Sequence, residues 1–342
     1  MQVPSFLFTP FTHLRIPAPD ICYVSHTGIP LFDDHLPLNR GDVIEIQGHA
    51  SCGKSHLLYH FLLSCILPPA KSSMAPSRGM SAILYDLDSS FNILRFCNLL
   101  STRISHLFPL LDDEKHTELK QASLSRLHIF RPKSLSQLAI SLKYLPSYHA
   151  SHIQDNEIGL VAIDSISAFY WPERLYEEQL RNFALKKKGS RTDALHLVLT
   201  AISDIIHSHA PLVLLSNWGL HTVSQDRARH NPSTWYKQHL RSFPVLQHAA
   251  PFDDRTAARS TEYPLNLAHH ISLSSLSSLP CHASTRRGVW LGQEPPNGKG
   301  VIEIGHRVVC LVTSSGVEET NCFQLLIDKT LHIQSFQLEN EE

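Results

Sequence analysis

The feature that most constrains the fold is an eight-residue segment, GHASCGKS at positions 48–55, which matches the pattern GxxxxGK[ST]. A short apolar stretch with strand character, residues 43–47, precedes it. A segment whose apolar residues have helical spacing, residues 54–67, follows it. A strand that passes through a glycine-containing turn into a helix directs backbone amides and the helix N-terminus at a phosphate group. We therefore expect a phosphate-binding loop in an α/β fold.

Each residue type in this loop suits a nucleoside triphosphate bound together with Mg²⁺. Gly48 and Gly53 let the backbone approach phosphate oxygens closely. Lys54 is expected to reach the outer phosphates, and the Ser55 hydroxyl is expected to bind Mg²⁺. A chance match, or a loop that has lost nucleotide binding, is the alternative. The predicted nucleotide-binding residues are Gly48, His49, Ala50, Ser51, Cys52, Gly53, Lys54 and Ser55.

A magnesium site of this kind also needs an acidic residue at the end of a buried strand. Residues 160–163 are all apolar, and Asp164 follows them directly. Many apolar strands end in an aspartate that only caps a turn. The interpretation of Asp164 as a metal ligand therefore depends on the predicted phosphate loop. Ser55 and Asp164 are together the predicted Mg²⁺ ligands.

Two more polar residues follow predicted strands. Asp88 comes shortly after the strand at 82–85 and is a candidate for orienting an attacking water. An equally good interpretation is that Asp86 or Asp88 caps a helix beginning near Ser89 or Ser90. Asn217 follows another predicted strand and is a candidate sensor of the outermost phosphate, with a turn residue as the alternative. The carboxyl ends of parallel strands line one edge of a sheet, where such side chains meet.

Strand-like and helix-like segments alternate through the first half of the chain, which predicts a mostly parallel central sheet with helices on both faces. A β-rich extension follows. The predicted organisation is an N-terminal extension (1–25), a core (26–330) and a C-terminal tail (331–342); a long polar loop at 219–264 is either functional or disordered. The predicted strands are 43–47, 82–85, 127–130, 158–163, 212–216, 268–273, 307–313 and 322–327, and the predicted helices are 54–67, 89–107, 134–145 and 192–208.

Composition and charge exclude several classes of protein. The 342 residues include 30 Lys or Arg and 31 Asp or Glu, so any nucleic-acid surface has to be a local patch. Residues 57–67 are the most apolar stretch, far short of the ~20 residues of a membrane span, and we expect no membrane association. The N-terminus has no Lys or Arg before its apolar residues and makes a poor signal peptide. Seven cysteines without a CxxC pair predict reduced thiols.

The order of these motifs resembles the ATPase core of the RecA-type DNA recombinases. The resemblance runs from 26–28 (HTG) and 41–48 (GDVIEIQG) through the phosphate loop, Asp86 and Asp88 to 160–165. Two further stretches resemble one branch of the eukaryotic recombinase paralogues. They are 58–60 (LYH) with 65–68 (CILP), and 164–171 (DSISAFYW). The similarity covers about residues 26–218.

The resemblance implies a RecA-like core that binds ATP and Mg²⁺ at residues 48–55 and Asp164. It also implies an accessory factor in the repair of DNA double-strand breaks by homologous recombination. Such a factor works in the nucleus, in a hetero-oligomer with other recombinase paralogues that binds single-stranded or branched DNA and assists the main recombinase. The alternatives are a DNA-dependent ATPase with real turnover and a scaffold that binds no nucleotide.

One departure from the resemblance bears on hydrolysis. Active recombinases carry glutamate where this chain has Asp88, whose side chain is one methylene shorter. A carboxylate misplaced by about 1 Å can cost ~10²-fold in rate. We therefore expect weak or absent ATP hydrolysis by the isolated chain.

RecA-type cores hold DNA with loops that follow the strands ending at Asp164 and near Asn217. The first loop falls near residues 171–191 and mixes basic with aromatic residues, a composition that suits single strands. A solvated charged loop or a weak nuclear-import patch is the alternative. The second loop, 219–264, could bind DNA or a partner, or be disordered. The candidate DNA-binding residues are Arg181, Lys186, Lys187, Lys188 and Arg191.

Overall fold

A computed structural model of the chain describes residues 27–69, 79–153, 156–173, 194–219, 267–275, 306–315 and 321–337, with Leu175, Gln179 and Leu265. Its strands are β1 (Val43–Gly48), β2 (Ser81–Asp86), β3 (Leu127–Phe130), β4 (Ile158–Asp164), β5 (Leu212–Trp218), β6 (His269–Ser275), β7 (His306–Ser314), β8 (Asn321–Ile327) and β9 (Ile333–Gln337). Its helices are α1 (Pro30–His35), α2 (Lys54–Ile66), α3 (Ile93–Leu107), α4 (Asp113–Leu124), α5 (Leu135–His152) and α6 (Ala194–His209).

The nine strands form one sheet in the order β3-β2-β4-β5-β1-β6-β7-β8-β9. The pairs from β3 to β6 are parallel, and those from β6 to β9 are antiparallel. The predicted fold class, a mostly parallel sheet with helices and a β-rich C-terminal extension, is confirmed. The parallel strands bring the carboxyl ends of β1, β4 and β5 together at one edge.

Side chains that alternate along each strand divide between two buried layers. Ile44 and Ile46 of β1 pack in the layer that contains α2 and α3. Val43 of β1 and Leu215 of β5 pack in the opposite layer, which contains α5 and α6. A central parallel strand is therefore buried on both faces, and in β1 this burial includes the polar residues Glu45 and Gln47.

The start of α3 differs from the prediction that Ser89 or Ser90 caps it. The N-cap is Asn92, whose side chain accepts a hydrogen bond from the Arg95 amide at 2.9 Å. Ser89 instead has a positive φ of 59°, which belongs to a turn. Ser89, Ser90 and Asn92 are all short polar residues, and the turn geometry decides which of them caps the helix.

Two other helices differ from the sequence-based prediction. Helix α4 was not predicted, because it is polar and lies mostly at the surface; Asp112 caps it by accepting from the Lys115 amide at 2.8 Å. Helix α5 continues seven residues beyond the predicted end at 145, through Pro146 to His152. Proline removes one backbone donor, and the packing of α5 against α6 keeps the helix intact.

The sheet also extends past residue 330, where the core was predicted to end. Strand β9 pairs with β8 through Ile333 and Ile327, so part of the predicted tail 331–342 belongs to the sheet. Its mixed sequence, IQSFQ, carries little strand signal by itself. The predicted extension 1–25 and all but Gly219 of the loop 219–264 lie outside the described residues. Among the helices described, none is long and apolar enough to cross a membrane.

Candidate functional site

The phosphate loop joins β1 to α2 and is shaped by its two glycines. Gly53 has φ 99°, a conformation that residues with a Cβ rarely adopt. Gly48 lies so close to β6 that a Cβ would collide with the Leu273 carbonyl oxygen and with the Cys52 sulfur. Both positions therefore require glycine for steric reasons that the motif alone does not reveal.

Lys54 begins α2, and its side chain turns back over the loop. The ammonium donates to the carbonyl oxygens of Gly48 at 2.7 Å and His49 at 2.6 Å. Ser55 follows in the first turn of the helix and is exposed. The charge of Lys54 and the hydroxyl of Ser55 thus lie at the same end of α2 as the loop.

Asp164 ends β4 and points to the sheet face that carries α2. It is buried and accepts a hydrogen bond from the Ser216 hydroxyl at the end of β5. Burial is the main reason that the pKa of Asp164 is raised to about 6; the Ser216 hydrogen bond and the Lys54 charge act against the rise, and the Asp88 charge adds to it. A buried carboxylate with this raised pKa is stabilised in its charged form by a cation, so the residues fit a divalent ion beside a nucleotide phosphate.

Asp88 lies beyond the end of β2 with its side chain exposed. Its carboxylate accepts a hydrogen bond from the Ser90 amide at 3.0 Å and closes a turn. Asp86 is buried, accepts from the Phe91 amide at 3.3 Å and forms an ion pair with Arg131 at 2.9 Å. Neither aspartate caps α3. Asp88 is close enough to Asp164 to influence its titration, and its role toward water stays a prediction.

Asn217 points to the sheet face opposite α2. It is fully buried, and its side-chain amide donates to the Glu45 carboxylate at 2.9 Å. Leu215 and Asn217 share one face of β5, whereas Ser216 shares the other face with Leu214. The predicted role of Asn217 as a phosphate sensor therefore requires its side chain to leave Glu45. Strand alternation was a signal in the sequence that could have selected Ser216 as the residue facing Asp164.

Three residues beside the loop were missed by the sequence-based prediction. His56, one residue after Ser55, accepts a hydrogen bond from the Arg95 guanidinium at 2.8 Å. The same guanidinium lies 5.7 Å from the centre of the Tyr59 ring. This arrangement places a cation and an imidazole ring beside the first turn of α2, with the guanidinium near the buried ring of Tyr59. It depends on the packing of α3 against α2, which no local pattern encodes.

Two tryptophans lie at the same edge of the sheet. Trp171 is 60% exposed and Trp218 is 50% exposed. The Trp218 amide donates to the Ser167 hydroxyl at 3.0 Å, which ties the end of β5 to the segment after Asp164. The candidate DNA-binding residues lie outside the described part of the chain, so their placement stays a prediction: Arg181, Lys186, Lys187, Lys188 and Arg191.

Comparison with known proteins identifies relatives of this chain. DNA repair protein XRCC2 of Mus musculus is 29% identical over 145 residues, covering 42% of this chain and 47% of that protein. The DNA repair protein XRCC2 homolog of Arabidopsis thaliana is 25% identical over 205 residues, covering 52% of this chain and 55% of that protein. The chain thus spans about half the length of the relatives it matches. No family model matches the chain. The predicted similarity to XRCC2-type recombinase paralogues is confirmed.

Proposed function

We propose that this chain, which is similar to XRCC2 proteins over about half of its length, is an ATP-binding accessory factor in homologous-recombination DNA repair. The observation that carries the proposal is the meeting of two charged elements at one sheet edge. The phosphate loop with Lys54 and Ser55 follows β1, and the buried Asp164 ends β4, with β5 between them. The relatives named above are DNA repair proteins.

In the proposed complex, the loop amides and Lys54 bind the phosphates of ATP. Ser55 and Asp164 hold the Mg²⁺ ion, which neutralises phosphate charge when it is bound. Ser216 orients Asp164 through its hydroxyl. Asp88, which we propose as the water-orienting residue, already accepts a hydrogen bond from the Ser90 amide. A short side chain held in a turn supports weak or absent ATP hydrolysis by the isolated chain.

The partners we propose are other recombinase paralogues in a hetero-oligomer, together with single-stranded or branched DNA in the nucleus. Exposed aromatic side chains at an edge that also carries a phosphate loop support an interaction surface there, because Trp is enriched where proteins bind partners or stack on bases. Trp171 and Trp218 supply that exposed area.

The test of nucleotide binding is the equilibrium affinity of the purified chain for Mg-ATP. We expect the wild-type chain to bind and Lys54→Ala to bind at least about tenfold more weakly, since the ammonium interacts with the phosphates directly. Lys115→Ala is the matched control, because Lys115 is exposed on α4 and pairs with Asp112. Absence of Mg-ATP binding by the wild-type chain would contradict the proposal and favour the alternative, a scaffold that binds no nucleotide. Rapid hydrolysis stimulated by single-stranded DNA would instead establish an ATPase with turnover.

A second prediction concerns DNA. Reversing Lys186, Lys187 and Lys188 to Glu should weaken binding of single-stranded DNA at least about tenfold and reduce the slope of its salt dependence by roughly 2, because each phosphate contact releases counterions. Titrations at several salt concentrations measure both quantities. The control reverses Lys115, Lys143 and Lys329, which are exposed elsewhere, and changes net charge equally. Equal effects of the two triple variants would show that general charge, not this segment, determines binding.

A further inference from the structure

We propose that His270 is a positioning residue for the phosphate loop, an inference that rests on the proposed nucleotide binding. His270 lies on β6, the strand next to β1, and Gln47 is the residue immediately before the loop. The ring Nε2 of His270 and the side-chain Oε1 of Gln47 are 2.9 Å apart. Through Gln47, the histidine holds the end of β1 in the geometry that the loop needs.

The direction of this hydrogen bond follows from its partners. The Gln47 amide nitrogen donates to the Trp218 carbonyl oxygen at 3.4 Å, so its oxygen is the atom turned toward His270. An oxygen can only accept, and therefore Nε2 of His270 carries the proton. Burial lowers the pKa of His270 to about 4, which keeps the ring neutral near pH 7 and consistent with this assignment. The Glu45 carboxylate lies 3.9 Å from the same nitrogen, beyond hydrogen-bond distance.

Gln47 thereby connects three strands at the entrance of the loop. It is 2% exposed, and its side chain contacts β6 on one side and β5 on the other. The next residue, Gly48, accepts a hydrogen bond from the Gly219 amide at 3.1 Å and packs against the Leu273 carbonyl. A Gln47 amide that loses its partner on β6 is free to rotate, and Gly48 then loses the fixed neighbour that sets the first turn of the loop.

The closing experiment compares Mg-ATP affinity among four chains. His270→Leu removes the donor and leaves a buried acceptor unpaired, and we expect roughly five- to tenfold weaker binding than wild type. His270→Gln places an amide donor near the Nε2 position and should restore affinity to within about twofold. His269→Leu is the matched control. His269 is equally buried, at 5%, but it lies on the opposite face and contacts Ser314.

A second measurement separates this inference from nucleotide binding itself. Hydrogen exchange of the nucleotide-free chain should be faster across residues 47–55 in His270→Leu, and unchanged there in His269→Leu and His270→Gln. Gln47→Leu should weaken Mg-ATP binding as much as His270→Leu, and the double variant should lose no more than either single variant.

The outcomes are distinguishable. Wild-type binding that His270→Leu leaves intact, with unchanged exchange of the loop, overturns the role of His270 while the proposed function stands. Equal losses of Mg-ATP affinity in His269→Leu and His270→Leu would show a general loss of stability, which would also overturn the role of His270. If the wild-type chain does not bind Mg-ATP, the proposed function fails, and this inference fails with it.

Discussion

Replacing Asp164 with asparagine is expected to stabilise the metal-free chain against unfolding by up to about 3 kcal/mol near pH 7.5. Burial raises the pKa of Asp164 to about 6 from an ordinary value of 3.8. A pKa raised on folding means that the folded state prefers the protonated carboxyl, so stability falls as the pH rises from about 3.8 to about 6 and the full cost is present above pH 6. One pKa unit corresponds to about 1.4 kcal/mol, which sets the upper limit. Asparagine has no charge to desolvate, and its oxygen can still accept from Ser216.

The measurement is urea unfolding of both chains in the presence of a chelator, from about pH 4 to pH 8. The difference between them should be small near pH 4, grow as the pH rises from about 4 to about 6, where the unfolded chain loses the Asp164 proton before the folded chain does, and stay constant at higher pH. Asp204→Asn is the control, because Asp204 is exposed on α6 and its replacement should change stability little. With Mg-ATP added, the wild-type chain should gain stability and Asp164→Asn should gain much less, since a ligand stabilises the state that binds it. A less stable asparagine variant at pH 7.5 would contradict the prediction.

The second large effect is a loss of stability in mild acid caused by two buried histidines. His60 of α2 and His270 of β6 are 3% and 5% exposed, and burial lowers the pKa of each to about 4. In the unfolded chain both titrate near 6.5. Folding favours the neutral form of each histidine. The stabilisation of the folded state by these neutral rings is therefore complete above pH 6.5 and is lost as the pH falls toward 4. At about pH 5 each histidine costs roughly 2 kcal/mol, while protonation of Asp164 returns about 1 kcal/mol.

The contacts of His60 show why its charge is unfavourable. Its Nε2 is 2.7 Å from the Thr27 carbonyl oxygen and donates to it, while its Nδ1 accepts from the Arg103 guanidinium at 2.9 Å. Protonation would turn Nδ1 into a second donor facing the half-buried Arg103 cation. The neutral His60 ring therefore stabilises the contact of α2 with Thr27 and with Arg103 of α3.

Single and double glutamine variants at His60 and His270 test this explanation. Glutamine is uncharged at every pH. Between about pH 7 and pH 5, the free energy of unfolding of each single variant should therefore fall by about 2 kcal/mol less than that of the wild-type chain. The double variant should lose about 4 kcal/mol less, because the two residues lie on different elements and their effects should add. A double variant that retains the wild-type loss of stability would assign acid unfolding to other groups.

The strand–turn–helix unit around the predicted phosphate loop and the parallel sheet were predictable because their information is local. Residues 43–55 contain a strand, a glycine turn and a helix start within thirteen positions, and β3 was predicted at its observed bounds, 127–130. Asp164 was predictable for the same reason, since four apolar residues lead directly into it. The similarity to recombinase paralogues also rested on contiguous motifs.

The orientation of individual side chains depended on the tertiary structure. Ser216 and Asn217 are neighbours in sequence, yet one contacts Asp164 and the other contacts Glu45, because strand alternation places them on opposite faces. The pairing of His270 with Gln47 joins residues 223 positions apart, and only the sheet order brings them together. Residues 43–55 by themselves determined the strand, the glycine turn and the helix start that follow one another there. The strands beside it decided which groups surround the loop, because burial and hydrogen bonding across a sheet depend on neighbours that are distant in the chain.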